Sequence, residues 1–214
     1  VKSLGFQQKS MAMLTFQEGR TFGDVLILEV SAAVENPLPS REIPVEQFLP
    51  FKPSLLSTTL SVLEFQVIGL TSEGVDQYYS TLALGDGKPV AWLEEPTEQL
   101  QFLAGLGQGQ ENQLIQYTLD EIDTLKPSID ELKDQWRRGD MEAMDKSQLT
   151  DMQKDFPAIY NDLIVVRNNN WMPQIEAMFA TDEVELVLVG TLHLAGKDSV
   201  LASLEKAGYS VEKI

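Results

Sequence analysis

Between Glu111 and Phe179 apolar residues return mostly at steps of three and four: Leu114, Tyr117, Leu119, Ile122, Leu125, Ile129, Leu132 and Trp136. That period belongs to amphipathic helices, so this long stretch is committed to helix whatever surrounds it. Pro127 is expected to kink or split the first helix, because a proline inside a helix lacks the N–H donor. Arg137-Arg138-Gly139-Asp140 predicts a break before a short helix near Met141. Phe156-Pro157 opens another helix, which carries Tyr160, Leu163, Ile164, Arg167, Trp171, Ile175 and Met178.

The flanks read differently. Val25-Leu26-Ile27-Leu28 is a continuous apolar run ending in Glu29, the pattern of a strand buried on both faces. Pro37 to Pro53 holds five prolines and reads as a loop with short turns. Helices are expected over Ser54 to Gly69 and Glu73 to Leu84, the second ended by Gly85-Asp86-Gly87. Lys88 to Glu94 reads as a short strand ending in an acid, and Pro96 opens a helix that stops at Gly105 to Gly109. Val187 to Leu192 is an apolar run broken by Gly190, and a helix over Lys197 to Gly208 leads into Tyr209-Ser210-Val211-Glu212.

Strands separated by helices predict an α/β fold: a mixed, largely parallel central sheet flanked by helices. Residues 1–214 are read as a single domain, with 96–180 a mostly helical insertion within it. In a parallel sheet Glu29, Glu94 and His193 would share one carboxyl edge, the preferred site position of open α/β folds.

Composition narrows the function classes. The chain has 214 residues and a formal net charge of −17, from 16 basic and 33 acidic residues. Nucleic acid is therefore excluded as an expected partner, since phosphate binding needs a basic surface. With no cysteine, disulfides, thiolate metal sites and a cysteine nucleophile are all ruled out. No apolar stretch approaches the roughly 20 residues of a membrane helix. No signal peptide is visible; the first residue is Val1, and a processed chain points to a periplasmic or secreted protein, an unprocessed one to the cytoplasm.

His193 is the only histidine. A lone histidine is more often structural than catalytic, but at a strand end it is also placed to bind a metal or move a proton. One histidine with two or three carboxylates suits an oxygen-rich metal site better than a zinc site. Glu29 is either a buried acid that needs a partner or one that reaches solvent as its strand emerges. Glu94 and Glu95 point to opposite faces of an extended segment, so one faces inward. Arg167 is either a bidentate grip for a carboxylate or oxyanion, or half of a surface ion pair. Asn168-Asn169-Asn170 interrupts an otherwise apolar helix, where asparagine lowers helix propensity. P-loop, dinucleotide-binding and Gly-x-Ser-x-Gly signatures are absent.

Five ordered segments carry a resemblance. They are Asp24 to Glu29; Gly74 to Tyr79; Gly87 to Val90 running on to Leu93-Glu94 and Glu98-Gln99-Leu100; Arg167-Asn168 with Trp171; and Val189 to Gly196 running to Val211. Together they resemble the TraB/PrgY/GumN family, which includes the Tiki-type proteases. The resemblance implies an α/β fold like that of the erythromycin-esterase and ChaN proteins. It also implies a pair of Gly-x-x-His motifs and, in the Tiki-type members, metal-dependent peptide hydrolysis with Mn, Co or Zn. Gly190 to His193 matches the second motif. At the first, Gln8 stands where the histidine is expected, which fits either a lost ligand or a chain that begins beyond the motif.

The resulting expectation is a metal-dependent, peptidase-like hydrolase. His193 binds the metal or acts as base, Glu29 and Glu94 supply carboxylates, Arg167 steadies an oxyanion and Asn168 supports the arrangement. Its partners are a peptide or small-molecule substrate and, in a homodimer, a second copy of the chain. The alternative is a non-catalytic peptide- or signal-binding protein, as in pheromone shutdown.

Overall fold

The computed structural model describes residues 4–17, 19–35, 45–71 and 73–214. Among them the protein is helical, and its only β pairing is an isolated antiparallel bridge between Thr15 and Phe51. The expected α/β fold with a central, largely parallel sheet is therefore not formed. In chain order the helices are α1 (Leu4–Leu14), α2 (Leu28–Glu35), α3 (Pro53–Val67), α4 (Val75–Gly85), α5 (Pro96–Gly105), α6 (Glu111–Arg138), α7 (Met141–Met144), α8 (Thr150–Asp155), α9 (Pro157–Tyr160), α10 (Val166–Met178) and α11 (Val200–Lys206). π-helical turns, Asp145–Leu149 and Asn161–Val165, join α7 to α8 and α9 to α10.

The chain divides into two compact units: Val1–Leu70 with Glu95–Pro127, and Thr71–Glu94 with Ser128–Ile214. In the first, Phe22, Leu26, Val30, Val34, Phe48, Leu56, Leu60 and Ile115 form the core. The run from Val25 to Leu28 was expected to be a strand, but a short apolar run cannot by itself separate strand from helix. Leu26, Val30 and Val34 are all buried, and their four-residue spacing matches a helix face. Asn112 completes the turn, accepting from the Ile27 N–H at 2.8 Å and donating to the Val25 carbonyl at 3.3 Å. The backbone of that run is thus bound by a side chain rather than by a neighbouring strand. Glu29 falls in the first turn of α2 and is exposed, not at a strand end. Gln8 is exposed on α1, so the segment aligned with the first motif is a helix here.

Several expected elements form as read. Pro96 opens α5 and α4 ends at Gly85 before Asp86-Gly87, whereas Pro53, read as part of the proline-rich loop, is the first residue of α3. Of the proline-rich stretch, Pro37, Pro39 and Pro44 lie outside the described residues. Pro127 does not split α6, which runs unbroken from Glu111 to Arg138, although the boundary between the units falls just after it. Gly139, at φ +58°, then ends the helix, and the Asp140 side chain accepts from the Ala143 N–H to start the next.

The second unit packs Trp171, Ile175, Val200 and Leu204 from α10 and α11 into one cluster. Leu93, Val187, Val189, Tyr209 and Val211 lie against it from the segments expected to be strands. Those segments are extended but unpaired among the described residues. Alternation at Val187/Val189 and Tyr209/Val211 records which side chains face the helices. An extended chain lying on helices buries such apolar residues without a ladder, so an apolar run does not by itself establish a sheet.

Candidate functional site

Within the second unit, residues far apart in sequence meet at His193. Gly190 turns the extended segment into a 3-10 turn over Thr191–Leu194, and this places the imidazole indoors, 6% exposed. The π turn Asn161–Val165 feeds α10, whose first residues bring in Arg167 and Asn168. Gln174 on the same helix donates to the Leu93 carbonyl at 2.9 Å and so anchors the stretch that carries Glu94.

The hydrogen bonds fix the chemistry of each group. Asn168 is 1% exposed, and its amide nitrogen donates to the Asp198 carbonyl at 2.8 Å and, at 3.4 Å, to the His193 carbonyl. Its oxygen is therefore the atom 2.7 Å from His193 Nδ1, and as an acceptor it requires a proton on Nδ1. Arg167 Nη1 lies 3.3 Å from His193 Nε2. A guanidinium can only donate, so Nε2 must carry the lone pair. Both constraints select the same neutral tautomer. Burial, then the Arg167 charge, push the His193 pKa down from 6.5 to about 4, against a smaller upward pull from Glu94.

Glu94 holds Arg167 in a bidentate clamp, with Nε to Oε1 at 2.8 Å and Nη2 to Oε2 at 3.0 Å. Its side chain is only 5% exposed, whereas that of Arg167 is 23% exposed. The clamp and the histidine contact leave Arg167 with N–H donors to spare. Trp171 lies beneath, its ring 5.0 Å from the Arg167 guanidinium carbon and 4.4 Å from the imidazole centroid. The flat guanidinium is thereby stacked as well as clamped.

The structure thus assembles Glu94, Arg167, Asn168 and His193. Glu29 belongs to the first unit. Sequence reading missed Asp198 and undervalued Trp171 and Tyr160. Ser199 caps α11 by accepting from the Ala202 N–H, and this fixes Asp198 just before the helix, where its carbonyl receives Asn168. Tyr160 donates to Asp198 Oδ2 at 2.9 Å, and burial together with that contact raises its pKa. The cap signal at Ser199 was readable; the fold-dependent meeting with Asn168 was not. Gly196 allows a close passage as well. Its φ is +79°, and a Cβ there would lie 2.5 Å from Asp145 Oδ1.

A divalent metal would need His193 Nε2 and a Glu94 oxygen. Nε2 faces a cation, and both Glu94 oxygens are held by it. No group of three or more metal-ligating His, Asp or Glu side chains occurs among the described residues. The donors assembled here therefore do not fit a metal centre.

These features define a helical protein with a buried glutamate–arginine–histidine site, its imidazole oriented by an asparagine. The TraB/PrgY/gumN family model matches residues 2–213, and the chain belongs to that family. No curated protein and no solved structure matches it. No described helix is long and apolar enough to cross a membrane.

Proposed function

We propose that the chain is a hydrolase of peptide or similar amide or ester bonds, with its active site at Glu94, Arg167, Asn168 and His193. The observation that supports this most strongly is the fixed neutral tautomer of His193, with its lone pair at Nε2 beside an anchored guanidinium. Asn168 orients the ring and keeps the proton on Nδ1. Nε2 is then the proton acceptor for an attacking water once that water replaces the Arg167 Nη1 contact, and the imidazolium passes the proton on to the leaving group. The spare N–H groups of Arg167 receive the substrate carbonyl oxygen as it gains negative charge, while Glu94 keeps the guanidinium in place.

The test is cleavage of a peptide library by wild type, His193→Gln and Arg167→Lys. Arg167→Lys is expected to lose about 100-fold in kcat/KM, since an ammonium cannot hold Glu94 bidentately and still reach the carbonyl. The acid limb of kcat/KM should fall near pH 4 rather than 6.5, because His193 is neutral, and able to accept a proton, above about 4. Cleavage that survives His193→Gln at the wild-type rate contradicts the reading.

A second reading is peptide capture without turnover. The observation favouring it is the same low basicity: an imidazole with a pKa of about 4 is a weak base at neutral pH, while Arg167 still has donors for a peptide carboxylate. Saturable peptide binding that needs Arg167, with intact peptide recovered, distinguishes it from the hydrolase.

A further inference from the structure

The first unit contains a cavity of about 490 Å³ that the site above does not use, lined by Lys52, Ser54, Arg20, Phe16, Met13 and Gln101 among others. Its size is that of a small-molecule site. Two features of its wall are out of balance. Ser54 is 1% exposed, yet its hydroxyl has no hydrogen-bond partner among the described residues. A buried hydroxyl left unpaired is costly, so such atoms usually meet a partner from outside the chain. Ser54 is also the second residue of α3, and the start of that helix is uncapped. Lys52 occupies the cap position, has no acceptor to offer, and makes no side-chain cap. No acid stands in the first turn either.

A cation at a helix N-terminus opposes the helix dipole, whose positive end is there. The arrangement becomes favourable when an anion sits between them. Lys52 is held in place by donating to the Ala104 carbonyl at 3.3 Å, and its backbone N–H donates to Leu14 O at 2.9 Å. The Arg20 guanidinium packs over the Phe16 ring at 5.6 Å, so a second cation and an aromatic face line the same cavity. The acid on the wall, Glu111, accepts from the Gly109 N–H at 3.0 Å. In a chain of net charge −17, cations gathered around an uncapped helix end run against the overall field.

We propose that this cavity binds a small organic phosphate monoester. The phosphate oxygens accept from the Ser54 hydroxyl, the Ser54 N–H and the Lys52 ammonium, and the organic body lies against Phe16 and Met13. A phosphate has three terminal oxygens for these three donors, one more than a carboxylate has.

The experiment is calorimetric titration of the whole chain with phenyl phosphate, inorganic phosphate and benzoate, in chloride buffer at constant ionic strength. Phenyl phosphate is expected to bind saturably at one site, more tightly than inorganic phosphate or benzoate. Lys52→Met should weaken it by about tenfold or more. Ser54→Ala should weaken it by about fivefold or more, while leaving the ligand-free melting temperature unchanged or higher, since it removes an unpaired buried hydroxyl. Absence of saturable phenyl phosphate binding overturns the proposal. So does tighter binding of benzoate, or binding that both variants leave intact.

Discussion

Asn168→Ala is expected to lower the unfolding free energy of the second unit by about 3 kcal/mol. The substitution strands three groups at once: the Nδ1–H of His193 and the carbonyls of Asp198 and His193. Each buried, unpaired polar group costs about 1–3 kcal/mol, and the small cavity left behind adds to that, though relaxation returns part. All three tryptophans, Trp92, Trp136 and Trp171, lie in the second unit, so the denaturant midpoint followed by their fluorescence reports on it directly. Asn168→Asp separates orientation from packing. It keeps an acceptor for Nδ1–H but sets a carboxylate against two carbonyl oxygens, and it should raise the His193 pKa. A loss below about 0.5 kcal/mol for Asn168→Ala would mean that the asparagine is not holding this network together.

Glu94→Gln is the second large effect, at about 2 kcal/mol. Removing one partner of a buried ion pair leaves the other charge without compensation, which costs about 3–5 kcal/mol when burial is complete. Arg167 retains 23% exposure, so water offsets part of that cost. The variant also carries a signature that simple loss of packing does not. Glu94 pulls the His193 pKa upward and Arg167 pushes it downward. Glu94→Gln should therefore lower the histidine midpoint, and Arg167→Gln should raise it. Shifts of the same sign in both variants would show that the two side chains do not act on His193 through charge.

Much of the helical content was legible in sequence because it rests on local signals. Pro96 at a helix start, Gly139 at a helix end and the three- and four-residue apolar steps of α6 all act within one or two turns. The sheet was misread because Val25-Leu26-Ile27-Leu28 and Val187 to Val189 are apolar runs whose partners are set by the fold. Asn112 closes on the first, and α10 with α11 receives the second. Glu94, Arg167, Asn168 and His193 could be singled out by chemical type. Their hydrogen bonds could not, because each depends on where α10 and the Gly190 turn come to rest. The grouping of Glu29 with His193 rested on a shared sheet edge, and no sheet forms among the described residues.

The neutral histidine also ties stability to pH. Its folded-state pKa of about 4 lies below the ordinary 6.5, so between these values the unfolded chain binds a proton that the folded chain refuses. The stability linked to His193 is complete above about pH 6.5 and is lost as pH falls toward 4. Its full extent is about 3 kcal/mol, from a shift of roughly 2.5 units at 1.36 kcal/mol each. Unfolding midpoints measured from pH 7 to pH 4 should decline accordingly, and a flat profile would contradict the shift.

With a single histidine in the chain, the imidazole resonances need no assignment. A proton and nitrogen-15 NMR titration of His193 reads both its protonation midpoint and its neutral tautomer. The expected midpoint lies near 4, with the ring above it neutral and protonated on Nδ1. A midpoint near 6.5, or a neutral ring protonated on Nε2, would contradict it.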